Sequence, residues 1–251
     1  MQYFIKKYIE RCNEEFAPLG FKRKKNSFVR IKKDIVQIFT LKVYYGSHSC
    51  TVEFESLPFC CGKASGLGIT SMFQISCFDK LGKLDNWEFN PNDENSINKC
   101  VEDLISAIEK HIIPFFERAI TPSAIFKESF LLEPTLTKEN LEDLLKTNNY
   151  EKYCKINIFT DPDRYYLALK TKNYDYASWY LEKHLSLAEK AYDETKNYVS
   201  DKNKKEREKY IDSLKDGIKM LELEKYDYFE EIIEKKEQEA REFLRFLKLI
   251  K

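Results

Sequence analysis

Phe16-Ala-Pro-Leu-Gly-Phe21-Lys-Arg-Lys-Lys-Asn-Ser-Phe28-Val-Arg30, continuing through Ile35-Val-Gln-Ile-Phe39-Thr-Leu-Lys-Val43 to Tyr44-Tyr45, decides the fold. Ahead of it, Phe4, Ile5, Tyr8, Ile9, Cys12 and Phe16 recur at helical spacing with Lys6, Lys7, Glu10, Glu14 and Glu15 between them. Residues 2–16 therefore read as an amphipathic helix, ended by Pro18 and Gly20. A dense basic loop follows, and the hydrophobic period then changes to two. Ile35, Gln37, Phe39, Leu41 and Val43 alternate with Val36, Ile38, Thr40 and Lys42, a strand rich in β-branched and aromatic residues. Helix, tight turn, loop and strand in this order open an α+β domain.

Working outward, Gly46-Ser47 is a turn, and Cys50, Val52 and Phe54 then share one face while Thr51, Glu53 and Glu55 share the other. That alternation predicts a second strand, antiparallel to the first, with one solvated side. Pro58, Gly62, Gly66 and Gly68 mark residues 58–68 as a loop, and Ile69 to Asp79 reads as a third long strand closed by Gly82. The turn-rich Asn90-Pro-Asn-Asp-Glu-Asn-Ser96 supplies an N-cap for a helix over 97–119, whose stripe is Val101, Leu104, Ile105, Ile108, Ile112 and Phe115/Phe116. Pro114 should kink it near its end.

Beyond Ile120 the pattern is helical. Pro122, Pro134 and Pro162 punctuate short helices, one of them starting after Thr137. Residues 163–190 read as two helices parted at Lys172-Asn173, and the charged segment from Asn203 reads as one long helix or two, with Gly217 and Lys225 as weak points. The expected organisation is an α+β domain over 1–120, an antiparallel sheet with helices 2–16 and 97–119 on one face, followed by an all-helical domain over 121–251. Within the latter, Leu167 to Lys183 resembles one hairpin of a tetratricopeptide repeat, with Ala177 letting the helices approach and Tyr174 and Tyr180 filling the hairpin. No second copy is evident. A single unit cannot bury its own face, so the hairpin must pack on neighbours or present Tyr174 and Trp179 to a partner.

The 251 residues are 43% apolar and 33% charged, with 18 Phe and 16 Tyr, a composition too aromatic for disorder and too charged for a membrane protein. Lys+Arg and Asp+Glu are both 42, so there is no global field toward nucleic acid or an anionic membrane. Any electrostatic partner must meet a local patch. The first residues lack the apolar run of a signal peptide, and seven cysteines in apolar contexts suit reduced thiols, so a soluble, cytoplasmic protein is expected.

Lys22, Arg23, Lys24, Lys25, Arg30, Lys32 and Lys33 place seven cations within residues 22–33, interleaved with Phe21 and Phe28. Cations for phosphates beside aromatics for stacking are what a nucleic-acid site needs. The plainer reading is a solvated connection whose charges protect a sheet edge, favoured because residues 1–131 hold 18 Lys/Arg against 16 Asp/Glu. His48-Ser-Cys50, Cys60-Cys61 and Cys77 lack zinc-knuckle spacing and read as structural, so no metal and no cofactor is expected. The glycines of Gly62-Lys63-Ala-Ser65-Gly66-Leu-Gly68 follow the Lys where a phosphate loop would precede it. Neither H-E-x-x-H nor G-x-S-x-G occurs.

The N-terminal helix, Leu19-Gly20-Phe21-Lys-Arg-Lys, Phe28-Val-Arg30, the strand at Val36-Gln37-Ile38 and the helix ending Ile113-Pro114-Phe115-Phe116-Glu117 together resemble an uncharacterised bacterial family, domain of unknown function 4304. The resemblance covers residues 1 to about 120. It implies a compact α+β domain, carries no catalytic residues, and suggests an immunity or accessory protein that binds a partner. The expected function is thus a non-enzymatic cytoplasmic protein-interaction module. The alternative is nucleic-acid binding through 22–33, and the third reading, a hydrolase or nuclease, would need His48, His111, Cys60 and Cys61 to converge.

Overall fold

The computed structural model describes residues 2–62, 73–74, 87–131, 136–154, 161–246 and 248–250. Helix α1 (Gln2–Phe16) buries Phe4, Tyr8, Ile9, Cys12 and Phe16, the predicted stripe apart from Ile5. Gly20, at φ +89°, turns the chain out of it, and the Phe21 amide returns to the Phe16 carbonyl. The stretch expected as a basic loop is a hairpin: β1 (Lys22–Lys24) pairs antiparallel with β2 (Ser27–Lys32) across a turn at Lys25-Asn26. Lys25 and Lys33 hold the left-handed backbone of the two turns flanking β2. Lys22, Arg23, Lys24, Lys25 and Lys33 thus occupy turns and an edge strand, where charge discourages edge-to-edge association, while Arg30 and Lys32 lie on the inner strand β2.

Strand β3 (Ile35–Tyr44) covers the predicted run from Ile35 to Val43 with one residue more, and pairs with β4 (Ser49–Pro58) over ten residue pairs, from Ile35 opposite Pro58 to Tyr44 opposite Ser49. With one edge of β4 taken by β3, its other edge is shared by β6 (Trp87–Glu88) near the turn and β5 (Phe73–Gln74) farther along. The sheet order is β1-β2-β3-β4-β5, with β6 beside β4. Apart from Phe73–Gln74, the third strand expected over Ile69 to Asp79 lies outside the described residues, as do Cys77 and the glycines at 66, 68 and 82.

One face of this sheet carries Phe28, Gln37, Phe39, Leu41, Cys50, Val52, Phe54 and Ser56, matched by cross-strand register. Both long helices of the unit lie on it. Phe16 meets Phe39 edge-on at 5.3 Å, Tyr8 meets Phe28 at 6.5 Å, and Phe54 meets Phe115 at 5.2 Å. The opposite face departs from expectation: Thr51, Glu53 and Glu55 are buried, with Glu55 only 3% exposed. The reason is that Val29, Val36, Ile38 and Leu57 make this second face apolar too, as in strands covered on both sides. Glu53 is accommodated by the Lys42 ammonium at 3.2 Å.

The predicted helix over 97–119 comes in two pieces. Helix α2 (Glu94–Ala107) is capped by the Asp93 carboxylate, which accepts from the Asn95 amide, and it packs against α1. A π-turn at Ile108–Ile112 then leads into α3 (Ile113–Arg118). Pro114 explains the wide turn: it has no N–H to donate and its ring crowds the carbonyl four residues back, so the backbone opens rather than breaks.

Described residues up to Phe59 and from Phe73 to Glu128 form one compact unit, and Cys60–Gly62 with those from Ser129 onward form a second. Helix α4 (Pro122–Leu131) spans the change. The second unit is helical throughout its described residues: α5 (Lys138–Thr147), the short α6 (Tyr150–Tyr153), α7 (Asp161–Lys170), α8 (Tyr174–Thr195), α9 (Asp201–Glu222) and α10 (Asp227–Phe246). Thr137, Asn173 and Ser200 cap α5, α8 and α9 through their side chains. Of the two expected weak points, only the one at Lys225 breaks the helix, with Glu224 left-handed beside it. Gly217 stays within α9, because a Cβ there would lie 3.0 Å from Leu181 Cδ1 and only glycine lets α9 approach α8 so closely.

Candidate functional site

In the first unit, Arg30 on β2 is a clamp. Its side chain is 10% exposed and donates from Nε to Gln37 Oε1 (2.8 Å), from Nη1 to the Leu19 carbonyl (3.2 Å) and from Nη2 to Glu117 Oε1 (2.8 Å), while the guanidinium lies over the Phe21 ring at 4.6 Å. Lys32 donates to the other oxygen of Glu117 at 2.7 Å. The Lys32 ammonium, seconded by Arg30, holds the Glu117 carboxyl below the usual carboxylate range against partial burial. Fully buried Gln37 completes the network by donating to the Phe116 carbonyl at 2.7 Å. Arg30 and Lys32 therefore tie the sheet to the end of α3.

The remaining cations of the hairpin are arranged differently. Lys22, Arg23 and Lys25 are exposed and Lys24 is half-buried. Arg23 donates to the Lys25 carbonyl at 3.0 Å. Among the described residues Lys22, Lys24, Lys25 and Lys33 make no ion pair. Phe21 and Phe28, which a nucleic-acid site would need as stacking surfaces, are core residues at 3% and 0% exposure.

At the far end of β3, the turn of residues 45–48 juts from the sheet. Tyr44 is 44% and Tyr45 65% exposed, and His48 takes a left-handed backbone. Ser47 and His48 from this turn, with Glu88, Asn90, Asn92 and Ser96 from the approach to α2, line a shallow open hollow of about 460 Å³. Its floor is fixed by local polar contacts. The Phe89 amide donates to the His48 carbonyl, Ser47 and Ser49 hydroxyls meet at 2.6 Å, and the Asn90 amide donates to Ser96 Oγ.

In the second unit, Tyr174 and Trp179 are not brought together. Tyr174 stacks on Tyr226 with ring centres 4.0 Å apart, so it packs on the turn between α9 and α10 instead of filling the hairpin, whereas Tyr180 does fill it, stacked on Tyr165 at 5.1 Å. Trp179 faces α6, donating from Nε1 to Glu151 and packing on Tyr150. The neighbours that the hairpin requires are supplied by α9 against α8 and α10 against α7. Leu169, Phe229 and Ile233 floor a groove of about 200 Å³ there, bridged at its rim by Lys172 and Glu230 at 3.3 Å.

Of the groups that hydrolysis would require, His48 and His111 belong to the first unit and Cys60 and Cys61 to the second. His48 is exposed in its turn, and burial lowers the pKa of half-buried His111 on the π-turn. In the second unit, the Cys61 thiol is pushed up by its hydrogen bond with Cys60 and by burial, which leaves it a protonated and weak nucleophile. Its Sγ donates to the Asp163 main-chain carbonyl, and burial raises the Asp163 carboxyl to about 6 against the opposing charge of Lys236. Among the described residues no three His, Cys, Asp or Glu side chains gather as metal ligands.

Three features escaped the sequence reading. Gln37 carried a signal, as the lone amide in an apolar strand. Glu117 ends a motif already singled out, but its role needed the fold. The thiols of Cys50 and Cys100 come within 3.9 Å, and nothing in their spacing foretells it.

Fold and site together define the first unit as a two-layer α+β domain, with helices on one face of a meandering sheet and an open hollow at one end. Residues 12–118 match the family model of a domain of unknown function, DUF4304, so the matched segment contains the whole described sheet, the Arg30–Glu117 clamp and the hollow. Comparison with curated proteins and with solved structures finds no match. Among the described residues no helix is long and apolar enough to cross a membrane.

Proposed function

We propose that this chain is a non-enzymatic protein-interaction module whose N-terminal unit engages a partner protein through the β3–β4 turn. The observation that carries the reading is the pair Tyr44, at the end of β3, and Tyr45, on the turn that also walls the hollow, exposed at 44% and 65%. Tyrosine presented by a rigid scaffold is a residue that interfaces favour, because it buries a large amphipathic ring with few rotamers to order. The full-length pairing of β3 with β4 supplies that rigidity. A shallow, open hollow suits a protruding segment of a partner better than an engulfed small molecule. Placement in a reducing cytoplasm is supported by six described cysteines that are all free thiols. An immunity or accessory role in a bacterium, with a toxin-like effector as partner, rests on the resemblance of residues 1–120 alone.

The test is affinity capture from the source organism with wild type and with the Tyr44→Ser/Tyr45→Ser double variant, followed by calorimetry on the purified pair. A protein retained by wild type, lost by the variant and bound directly supports the proposal. Identical recovery by both overturns it.

A second reading assigns the β1–β2 hairpin an anionic partner such as single-stranded nucleic acid, supported by Lys22, Lys24, Lys25 and Lys33 standing without ion pairs among the described residues. With Phe21 and Phe28 buried, such binding would be electrostatic and fall steeply with salt. Anisotropy with oligonucleotides at several salt concentrations tests it, and absent or salt-independent binding rejects it.

A further inference from the structure

The layer between α2 and the sheet holds chemistry that partner binding leaves unused. Cys50, the second residue of β4, and Cys100, on α2, bring their sulfurs to 3.9 Å, and both are buried, at 0% and 3% exposure. A disulfide requires about 2.05 Å, so the gap to close is within reach of side-chain rotation and a small shift of α2. The two thiols are also unequal. Cys50 Sγ lies 3.7 Å from the Trp87 carbonyl, an acceptor that holds its S–H, and the hydrogen bond with Cys100 and burial raise Cys50 further, while the same bond lowers Cys100 against its own burial. This is the division of labour between an attacking and a resolving cysteine. Tyr8 lies in the same layer beside Cys12 and Cys50, its buried hydroxyl facing the Cys12 thiol.

We propose that Cys50 and Cys100 form a redox-active dithiol that closes to an intramolecular disulfide on oxidation by hydrogen peroxide. The Cys100 thiolate attacks one peroxide oxygen, the O–O bond breaks and hydroxide departs, leaving Cys100 as a sulfenic acid, with sulfur oxidised and peroxide reduced by two electrons. Cys50 then gives up its proton and attacks the Cys100 sulfur. The S–O bond breaks and water leaves as the disulfide forms. In sum, two thiols and one hydrogen peroxide yield one disulfide and two waters. Burial requires an oxidant this small and neutral, since a bulky disulfide such as oxidised glutathione cannot reach either sulfur in the folded chain.

The experiment is native-state exposure of the full chain to hydrogen peroxide, alkylation of residual thiols in denaturant, and non-reducing peptide mapping by mass spectrometry. The expected result is a Cys50–Cys100 linked peptide, lighter by two hydrogens than its separate halves, that dithiothreitol reverses. In the Cys50→Ser variant, Cys100 should instead proceed to sulfinic acid for want of its resolving partner. If that variant does not fold, the wild-type map decides alone. Oxidation confined to half-buried Cys61 and Cys154, with Cys50 and Cys100 still open to alkylation, overturns the proposal, as does a link that forms only in urea.

Discussion

The guanidinium of Arg30 meets the carboxylate of Glu117 at 2.8 Å across a sequence separation of 87 residues. One residue of the basic stretch thereby holds β2 against the end of α3, and it donates further to Gln37 and the Leu19 carbonyl. Removing it leaves the buried Gln37 Oε1 without its donor and Glu117 with Lys32 as its remaining cation. Arg30→Ala should cost about 2–4 kcal/mol by urea unfolding, and Arg30→Lys nearly as much, since an ammonium cannot span three acceptors in a fork. A Lys variant as stable as wild type would show the clamp to be a point charge only.

Glu117 makes the clamp sensitive to acid. Its folded pKa is depressed, by Lys32 first and Arg30 second, so its contribution is full above its unfolded value of about 4.3 and is lost as pH falls through the folded pKa. Unfolding midpoints followed from pH 6 to pH 3 should fall more steeply for wild type than for Glu117→Gln. The difference should shrink in added salt, because the carboxylate is 47% exposed. Parallel curves for the two proteins would contradict the assignment.

What sequence could reveal divides along a physical line. Ile35 to Val43 and the stripe of α1 were legible because burial on one side imposes a period on the residues themselves. Strand β1 was not. Lys22-Arg23-Lys24 is a three-residue edge held by backbone pairing to β2, and ladder bonds leave no hydrophobic trace. The alternation of Glu53 and Glu55 misled for a related reason. Whether a face is solvated depends on all the strands that share it, and Val29, Val36 and Ile38 make that face apolar. The clamp and the Cys50–Cys100 pair depend on contacts between distant segments, which no local pattern encodes. The turn was readable at Gly46-Ser47, but the exposure of Tyr44 and Tyr45 beside it was not.

Asp163 makes a prediction of opposite sign to Glu117. Burial raises its carboxyl to about 6, above an unfolded value of about 3.9, so the penalty for ionising it grows as pH climbs between these values and is complete above the upper one. Asp163→Asn should therefore be more stable than wild type at pH 7, by on the order of 1–2 kcal/mol, and equal to it at pH 4. Lys236→Met should act the other way, destabilising at pH 7 and mattering little at pH 4, because it removes the charge that offsets the buried carboxylate. Thermal melts at the two pH values decide. A uniform effect of Asp163→Asn across pH would mean that the carboxyl is solvated.

Gly217 tests how close α9 stands to α8. In an unhindered helix Gly→Ala is worth roughly 1 kcal/mol of stability through helix propensity. Here the new methyl would sit 3.0 Å from Leu181 Cδ1, and Leu181 is itself 3% exposed with little room to yield. The two effects oppose, so Gly217→Ala alone should be neutral or destabilising, and Gly217→Val clearly destabilising by about 2 kcal/mol or more. Leu181→Ala will cost about 2–4 kcal/mol through the cavity it opens. In that background the obstruction is gone, and Gly217→Ala should become stabilising by up to about 1 kcal/mol. The double-mutant cycle thus reads a coupling of about 1 kcal/mol or more between the two sites. Simple additivity would place Leu181 out of contact and leave the buried glycine explained by something other than the approach of the two helices.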